Sequence, residues 1–468
     1  MEWIDSVAVF LFLFIILFIG LVASKRVNNN NDYLLAGSQV GRWPLALSMA
    51  ATDLGGAGIV GVMALSYTIG ITGSLWDLCA VPALLCLAYI VPKLFTGQSV
   101  TTVPELFGKR YDERTRTIVA MLQIVGAALT ITAQNVVTSI VIHTLTGIAF
   151  QYALIVSTIV FIIYTTAGGL ISVIWTDIFA YFALVIGTLI AVVFFIGSFG
   201  GLNEVVQSVP ETHWKLSGLS GMTISAWVGM NLFLYATSQP YLQRVFAAKD
   251  KAAVKFAYTF TGVSYIVYGI MISLLGIIAF ALNANATNPE YGSVAVIYEN
   301  LPVGFRGIVL IAFLAAAMST SSSYLNGCAS IFTIDIYKRI INKRASQVEC
   351  LNVARLSTIA IAAVSLLASL LPVSIIDIIV FANLIYSATI FFPLVIGYSN
   401  KRVNATGAFY SILIGLITGG IYAGILHESS TYYLLNIHPI FIASITSLLV
   451  LLVVSKLTQE KYPVEDVG

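Results

Sequence analysis

Five consecutive hydroxyl residues, Ser319, Thr320, Ser321, Ser322 and Ser323, interrupt a run otherwise built of Ala, Leu, Ile and Phe, within AAAMSTSSSYLNG at 315–327. On a helix, positions i, i+3 and i+4 share a face, so the Ala316 carbonyl and the hydroxyls of Ser319 and Thr320 converge. Ser322 and Ser323 repeat that geometry one turn on. Neutral oxygens gathered this way suit a hard cation that wants oxygen ligands without a full opposing charge. A single Ser would read as helix packing with a bond back to its own carbonyls, but a run of five points to ion binding.

Two further apolar runs carry interruptions. SMAATDLGGAGIVG sets Gly55, Gly56 and Gly58 beside Asp53, and LYATSQPYLQR sets Thr237, Ser238, Gln239 and Pro240 in sequence. Glycine removes side-chain cover and proline removes a donor, so both stretches expose backbone groups that need partners outside their own helix. Asp53, Asp77 and Asp177 lie inside apolar runs with no Lys or Arg expected at their depth, so each is read as protonated or as holding a cation. Asp77 falls near the outer end of its run, where water reaches it. Asp335 and Asp377 fall near run ends and are expected to be solvated.

The elements that position these residues follow from composition. Of 468 residues 59% are hydrophobic and 9% charged, against roughly 25% charged in a soluble domain; with a mean hydropathy of +0.94, lipid is the natural solvent and a soluble enzyme is excluded. A formal net charge of +2 gives no basic bias for nucleic acid. Cys79, Cys86, Cys328 and Cys350 have no metal-type spacing, so neither a disulfide nor a zinc site is expected. The four His lie in loops or near run ends, and no phosphate loop or nucleophile–base pair supports an intramembrane enzyme.

A membrane helix needs about 20 apolar residues. Thirteen runs qualify, near 6–24, 43–72, 74–95, 115–145, 148–167, 169–198, 221–246, 252–283, 302–337, 351–371, 374–399, 404–426 and 437–455. The first follows acidic Glu2 and Asp5 rather than a basic segment and is expected to remain as a span. Placing the N-terminus outside puts 21 of the 23 Lys and Arg in inner loops, leaving Lys215 and Arg306 outside, which predicts an external N-terminus and a cytoplasmic C-terminus in the cell (inner) membrane. The two interrupted runs stand five spans apart, the spacing of corresponding helices in inverted repeats that bind solute and ion at their breaks.

The segments GGLISVIWTDIFAYFALVIG (168–187), AAAMSTSSSYLNGCASIFTIDIYKR (315–339), TVPELFGKRY (102–111) and SQPYLQRVFAAKD (238–250) resemble the sodium:solute symporter family, with similarity from about residue 7 to 455. The resemblance implies an all-α integral membrane protein of about thirteen transmembrane helices, with a leucine-transporter-like core of five plus five inverted helices, one helix before and two after. The corresponding division is 1–40 accessory helix and loop, 41–203 first repeat, 204–400 second repeat, and 401–468 C-terminal helices and tail. It also implies a secondary transporter, not an enzyme, that imports a small organic solute with sodium by alternating access. The shared sodium site falls on the carbonyls of Ala51, Leu54 and Ala316 with Ser319 and Thr320. A second site found in some members falls on Asp177, Ser319, Ser322 and Ser323, and two sodium ions per solute are expected from it.

The solute pocket is expected at the two breaks, lined by Asp53, Gly55, Gly56, Ser238 and Gln239, with Asp53 serving either solute or sodium. Sugar-carrying members place amide and acidic groups where this chain has Ala57 and Gly58, and choline members place tryptophans where it has Asp53 and Ser238, whereas proline members share the aspartate. An amino acid or similar solute is therefore favoured over a sugar, sialic acid or carboxylate. A channel lacks a ring-forming filter pattern here, and a solute sensor would carry an appended signalling domain. The partners expected are the solute and membrane lipid, with no nucleic acid and no obligate protein partner.

Overall fold

In lipid a chain must satisfy its own backbone polar groups, and helices do so within one segment. The computed structural model describes residues 3–27, 29–285, 288–371, 375–428 and 437–458, and among them the only β-pairing is an isolated parallel bridge between Val40 and Ala248. The main helices are α1 (Trp3–Ser24), α2 (Arg42–Asp53), α3 (Gly56–Ile69), α4 (Ala80–Leu94), α5 (Glu113–Thr146), α6 (Phe150–Phe199) and α7 (Gly221–Thr237). They continue as α8 (Gln239–Ala247), α9 (Lys251–Leu282), α10 (Phe305–Ile331), α11 (Gln347–Ala368), α12 (Ile375–Ser399), α13 (Ala405–Glu428) and α14 (Pro439–Thr458).

Ten described helical stretches are long and apolar enough to cross a membrane, and the difference from thirteen expected runs has local causes. A 3-10 segment at Gly70–Ser74 and the short helix Leu75–Leu78 link α3 to α4, so two expected runs form one stretch, Gly56–Leu94. The 50-residue α6 covers two more, and its ladder is interrupted at Gly169, at φ 55° and ψ −144°. A side chain there would stand 2.3 Å from the Tyr33 carbonyl as well as in the left-handed region, so both conformation and close approach call for glycine. The halves α2, α7 and α8, with 12, 17 and 9 residues, fall short of a span on their own.

Polarity is distributed inside out relative to a soluble protein. On α1, Phe10, Phe14 and Phe18 are 69%, 64% and 59% exposed, whereas every residue of α10 from Phe313 to Ile331 is buried, the hydroxyl run included. Helix α10 lies at the centre, packed along α6 and α5; α9 lies against α2, α3 and α4, and α13 pairs with α14. The Ser/Thr run is thus buried with the rest of this segment, within reach of polar partners on neighbouring helices.

Candidate ion and solute site

The first break opens between α2 and α3. Leu54 N still donates to Ala50 O at 2.9 Å, but Gly55 N turns to Asp53 O at 2.7 Å, and Ile59 N to Gly55 O (3.1 Å) begins the next helix. The carbonyls of Ala51 and Leu54 thereby lose their ladder donors and become available as ligands. Gly55 is required for the approach of α10: a Cβ there would stand 2.6 Å from Thr320 Oγ1 and 2.9 Å from Gln134 Nε2. Gln134 Oε1 accepts from Ala57 N at 2.9 Å, satisfying one of the amides that starts α3.

From α10, Thr320 Oγ1 donates to Thr52 O at 2.8 Å and to Ala316 O at 3.1 Å, so this hydroxyl bridges the break and the central helix. Ser319 is turned the other way, its Oγ donating to Asp177 Oδ1 at 2.6 Å, and Ser322 Oγ donates back to Ser319 O at 2.9 Å. Of the residues expected in the primary site, Thr320 and Ala316 are joined through the Thr320 hydroxyl, which also reaches the Thr52 carbonyl beside the break. Ser319 adjoins them while bonded to the aspartate.

The surroundings of Asp177 correct the sequence reading, which gave it no basic partner. Arg244 Nη2 meets Asp177 Oδ2 at 2.8 Å, with the two side chains 1% and 0% exposed. The same guanidinium donates to Thr52 Oγ1 (2.6 Å), Ser323 Oγ (2.7 Å), Ser48 Oγ (2.9 Å) and Pro240 O (2.8 Å). Ser48 Oγ also donates to Asp177 Oδ2 at 2.5 Å. The count of basic residues toward inner loops includes Arg244, which stands at the inner end of the 221–246 run. The chain instead re-enters helix at Gln239, with Pro in its first turn where a missing N–H costs nothing, and α8 carries Arg244 into the bundle. Two of the expected second-site residues, Asp177 and Ser323, therefore already hold a cationic group.

A cavity of about 80 Å³ lies at the break, lined by Asp53, Gly55 and Gly58 of the first interrupted span, Thr130 and Gln134 of α5, Thr320 and Tyr324 of α10, and a set of aromatic residues. Asp53 Oδ1 accepts from Tyr241 Oη at 2.6 Å and the Asp53 carbonyl from Tyr265 Oη at 3.1 Å, while Asp53 Oδ2 has no hydrogen-bond partner. Asp77, expected to be wetted from outside, is 5% exposed and lines the same cavity. Gly56, Ser238 and Gln239 lie outside it. Gly56 packs on Ala317 of α10, and Gln239 is spent on the loop before the Val103–Arg110 helix, accepting from Val103 N at 2.7 Å and donating to Thr101 O at 3.2 Å. The second break contributes Tyr235 and Tyr241 instead, one turn to either side of Ser238. Tyrosines at 3.6-residue spacing from a break would have signalled this, since they can reach where the broken backbone does not.

Asp335 also departs from expectation. It is buried, accepting from Thr102 Oγ1 at 2.7 Å and pairing with Arg116 Nε at 2.6 Å. Arg339 pairs with Glu113, and Arg110 donates to the carbonyls of Gly397, Asn400 and Val403. These basic residues knit one end of the bundle together. The side chain of Asp377 lies outside the described residues.

A model of the Sodium:solute symporter family matches residues 33–415. The chain is similar to the Sodium/glucose cotransporter of Vibrio parahaemolyticus, 26% identical over 399 residues and covering 77% of this chain and 73% of that protein. It is also similar to the Osmoregulated proline transporter OpuE of Bacillus subtilis, 27% identical over 467 residues and covering 94% and 92%. Among solved structures, a substrate-bound outward-open Na+-coupled sialic acid symporter superposes with a TM-score of 0.81 at 23% identity, covering 97% and 98% of the two chains. A closed nucleobase-cation-symport-1 family transporter, Mhp1, superposes at 0.62. These structural likenesses establish the arrangement of helices, and the family model, spanning most of the chain, establishes kinship: the chain belongs to the sodium:solute symporter family.

Proposed function

We propose that this protein couples sodium entry to the uptake of a small organic solute, with ion and solute meeting at the break between α2 and α3. The observation that carries the reading is Thr320, whose hydroxyl joins the Thr52 and Ala316 carbonyls beside two carbonyls released from the helix ladder. The ligands of the driving ion are the carbonyls of Ala51, Leu54 and Ala316 with Ser319 and Thr320. An ion there ties α10 to the broken span, so its arrival and departure change how the two move relative to each other, which is what alternating access requires.

One sodium ion per solute is the stoichiometry this geometry favours, because Arg244 already neutralises Asp177 and a second cation is not needed for charge balance. A second reading keeps the second ion: Asp177 Oδ1, with Ser319 and Ser322, lies on the side of the carboxylate away from the bonded Oδ2. Charge-to-solute flux ratios from reversal potentials in proteoliposomes separate the two. One charge crossing about 100 mV releases about 2.3 kcal/mol and a tenfold sodium gradient about 1.4 kcal/mol, so one ion supports roughly 500-fold accumulation of a neutral solute.

The proposed topology is thirteen spans, N-terminus outside and C-terminus cytoplasmic, with the repeats at 41–203 and 204–400. The clustering of Arg110, Arg116 and Arg339 at one end of the bundle is consistent with a cytoplasmic face there. For the solute, the OpuE likeness favours an amino acid, and the Vibrio and sialic acid symporter likenesses keep a sugar or sialic acid in contention.

A further inference from the structure

Building on the symport reading, we infer that the transported solute carries an ammonium group, seated between Asp53 and Asp77 within an aromatic enclosure. The cavity at the break is lined by two carboxylates and by no Lys, Arg or His. Among the described residues five salt bridges form, and neither Asp53 nor Asp77 takes part in any. Contrast Asp177 of α6, which has a full guanidinium. Ionised, two acids without a cation in a bundle interior are costly unless something brings positive charge to them.

Three further observations point to the group that does so. Asp53 Oδ1 is held by Tyr241, which fixes the carboxylate, while its Oδ2 is buried without a donor. Asp77 is 95% buried by the 5% exposure of its residue, and no donor to it is recorded among the described contacts. Gly269 of α9 allows its close approach, since a Cβ there would stand 2.8 Å from the Asp77 Cβ. Aromatic side chains line the rest of the enclosure: Tyr235, Tyr241, Tyr265, Tyr268 and Trp76, with Trp227 set edge-on to Trp76 at 5.1 Å between ring centroids. Tyrosine and tryptophan faces attract an ammonium group, and Tyr268 Oη lacks a partner and is free to take one from the solute. A sugar would bring no positively charged group to the two carboxylates, and an anion without an ammonium group would add a further negative charge beside them. The cavity, about 80 Å³, is on the scale of a compact amine or small amino acid.

The test uses the full-length protein in proteoliposomes under an inward sodium gradient, with matched labelled pairs that differ in the ammonium group: ethanolamine against ethylene glycol, and L-alanine and L-proline against L-lactate. Glucose and sialic acid are run beside them. The expected result is sodium-dependent uptake of at least one ammonium compound and none of its neutral or anionic partner. Ethanolamine uptake places the amine alone as sufficient, and uptake confined to L-alanine or L-proline adds a requirement for the carboxylate. Asp77→Asn is expected to raise KM for the transported compound at least tenfold while leaving the sodium concentration for half-maximal transport unchanged, and Tyr268→Phe to raise it by a smaller factor. Sodium-driven uptake of glucose, sialic acid or lactate in preference to every ammonium compound overturns the inference and leaves sodium symport standing. Absence of sodium-dependent uptake for the whole panel overturns both. An unchanged KM in Asp77→Asn removes Asp77 from the site, and a shift in sodium dependence alone in Asp53→Asn assigns Asp53 to the ion; either result overturns the paired-carboxylate seat.

Discussion

Replacing Arg244 with methionine roughly keeps the volume and the helix propensity of α8 but removes a guanidinium whose N–H groups lie within hydrogen-bond distance of five oxygens, on Asp177, Thr52, Ser323, Ser48 and the Pro240 carbonyl. Asp177 is left fully buried with only the hydroxyls of Ser48, Ser319 and, at 3.5 Å, Thr52 donating to it. Stranding one member of a buried ion pair costs about 3–5 kcal/mol. The cost comes chiefly from the unpaired charge, so removing it as well, in Arg244→Met with Asp177→Leu, is expected to recover most of the loss. A double-mutant cycle read by reversible SDS unfolding in mixed micelles should therefore give a coupling energy of about 2 kcal/mol or more, far above the few tenths found for independent sites. Sodium should distinguish the single variant from the parent: with the guanidinium gone, Asp177 is expected to recruit a cation, so sodium in place of choline should stabilise Arg244→Met more than it stabilises the unmodified protein. A single-variant loss under 1 kcal/mol, or a double variant no more stable than Arg244→Met, would refute the claim that this pair neutralises the polar centre.

The remaining predictions concern the break and the orientation. Thr320→Ala should raise the sodium concentration for half-maximal transport about tenfold, which corresponds to about 1.4 kcal/mol, at unchanged protein abundance; flux measured against sodium concentration checks it. Gly55→Ala pushes a methyl within 2.6 Å of Thr320 Oγ1 and should abolish sodium-dependent flux, whereas an alanine at Gly58, where a Cβ meets nothing within 4 Å, should fold normally and perturb solute rather than ion. Reversal potentials should give one charge per neutral solute, and two would reinstate the second sodium site at Asp177, Ser319, Ser322 and Ser323. A reporter fused after Gly468 should be active only in the cytoplasm, and external activity would invert the proposed topology.

The features legible in the sequence are those in which backbone chemistry is written directly into residue type. The glycine cluster at 55–58 marks a ladder that stops, and the hydroxyl run at 319–323 marks a helix face that must be buried in a polar setting. Asp177 stood out because an acid in an apolar run is conspicuous. Arg244 did not, because the loop count takes a basic residue near the end of a run as leaving the membrane, and here a second half-helix carries it into the bundle instead. Its partner lies 67 positions earlier, and no local pattern encodes a contact between α8 and α6. Gln239 misled for a related reason: an amide at a break is a plausible solute ligand, yet the backbone of the Val103–Arg110 helix start needed an acceptor and took it. The aromatic side of the cavity was missed because Tyr235, Tyr241, Tyr265 and Tyr268 come from three helices whose facing is fixed only when they pack. Asp335 shows the same limit at a helix end, where its pairing with Arg116 spans 219 positions.

The central claim is that an ion bound where Thr320 meets the broken span drives solute uptake. The direct measurement is initial uptake of the labelled solute panel into proteoliposomes of the purified protein, comparing an inward sodium gradient with an equal potassium gradient, in the parent and in Thr320→Ala. Uptake above the external concentration with sodium, collapse to leak with potassium, and a rightward shift of sodium dependence in Thr320→Ala is the outcome predicted. Equal uptake under both gradients, or Thr320→Ala indistinguishable from the parent across the sodium range, would contradict it.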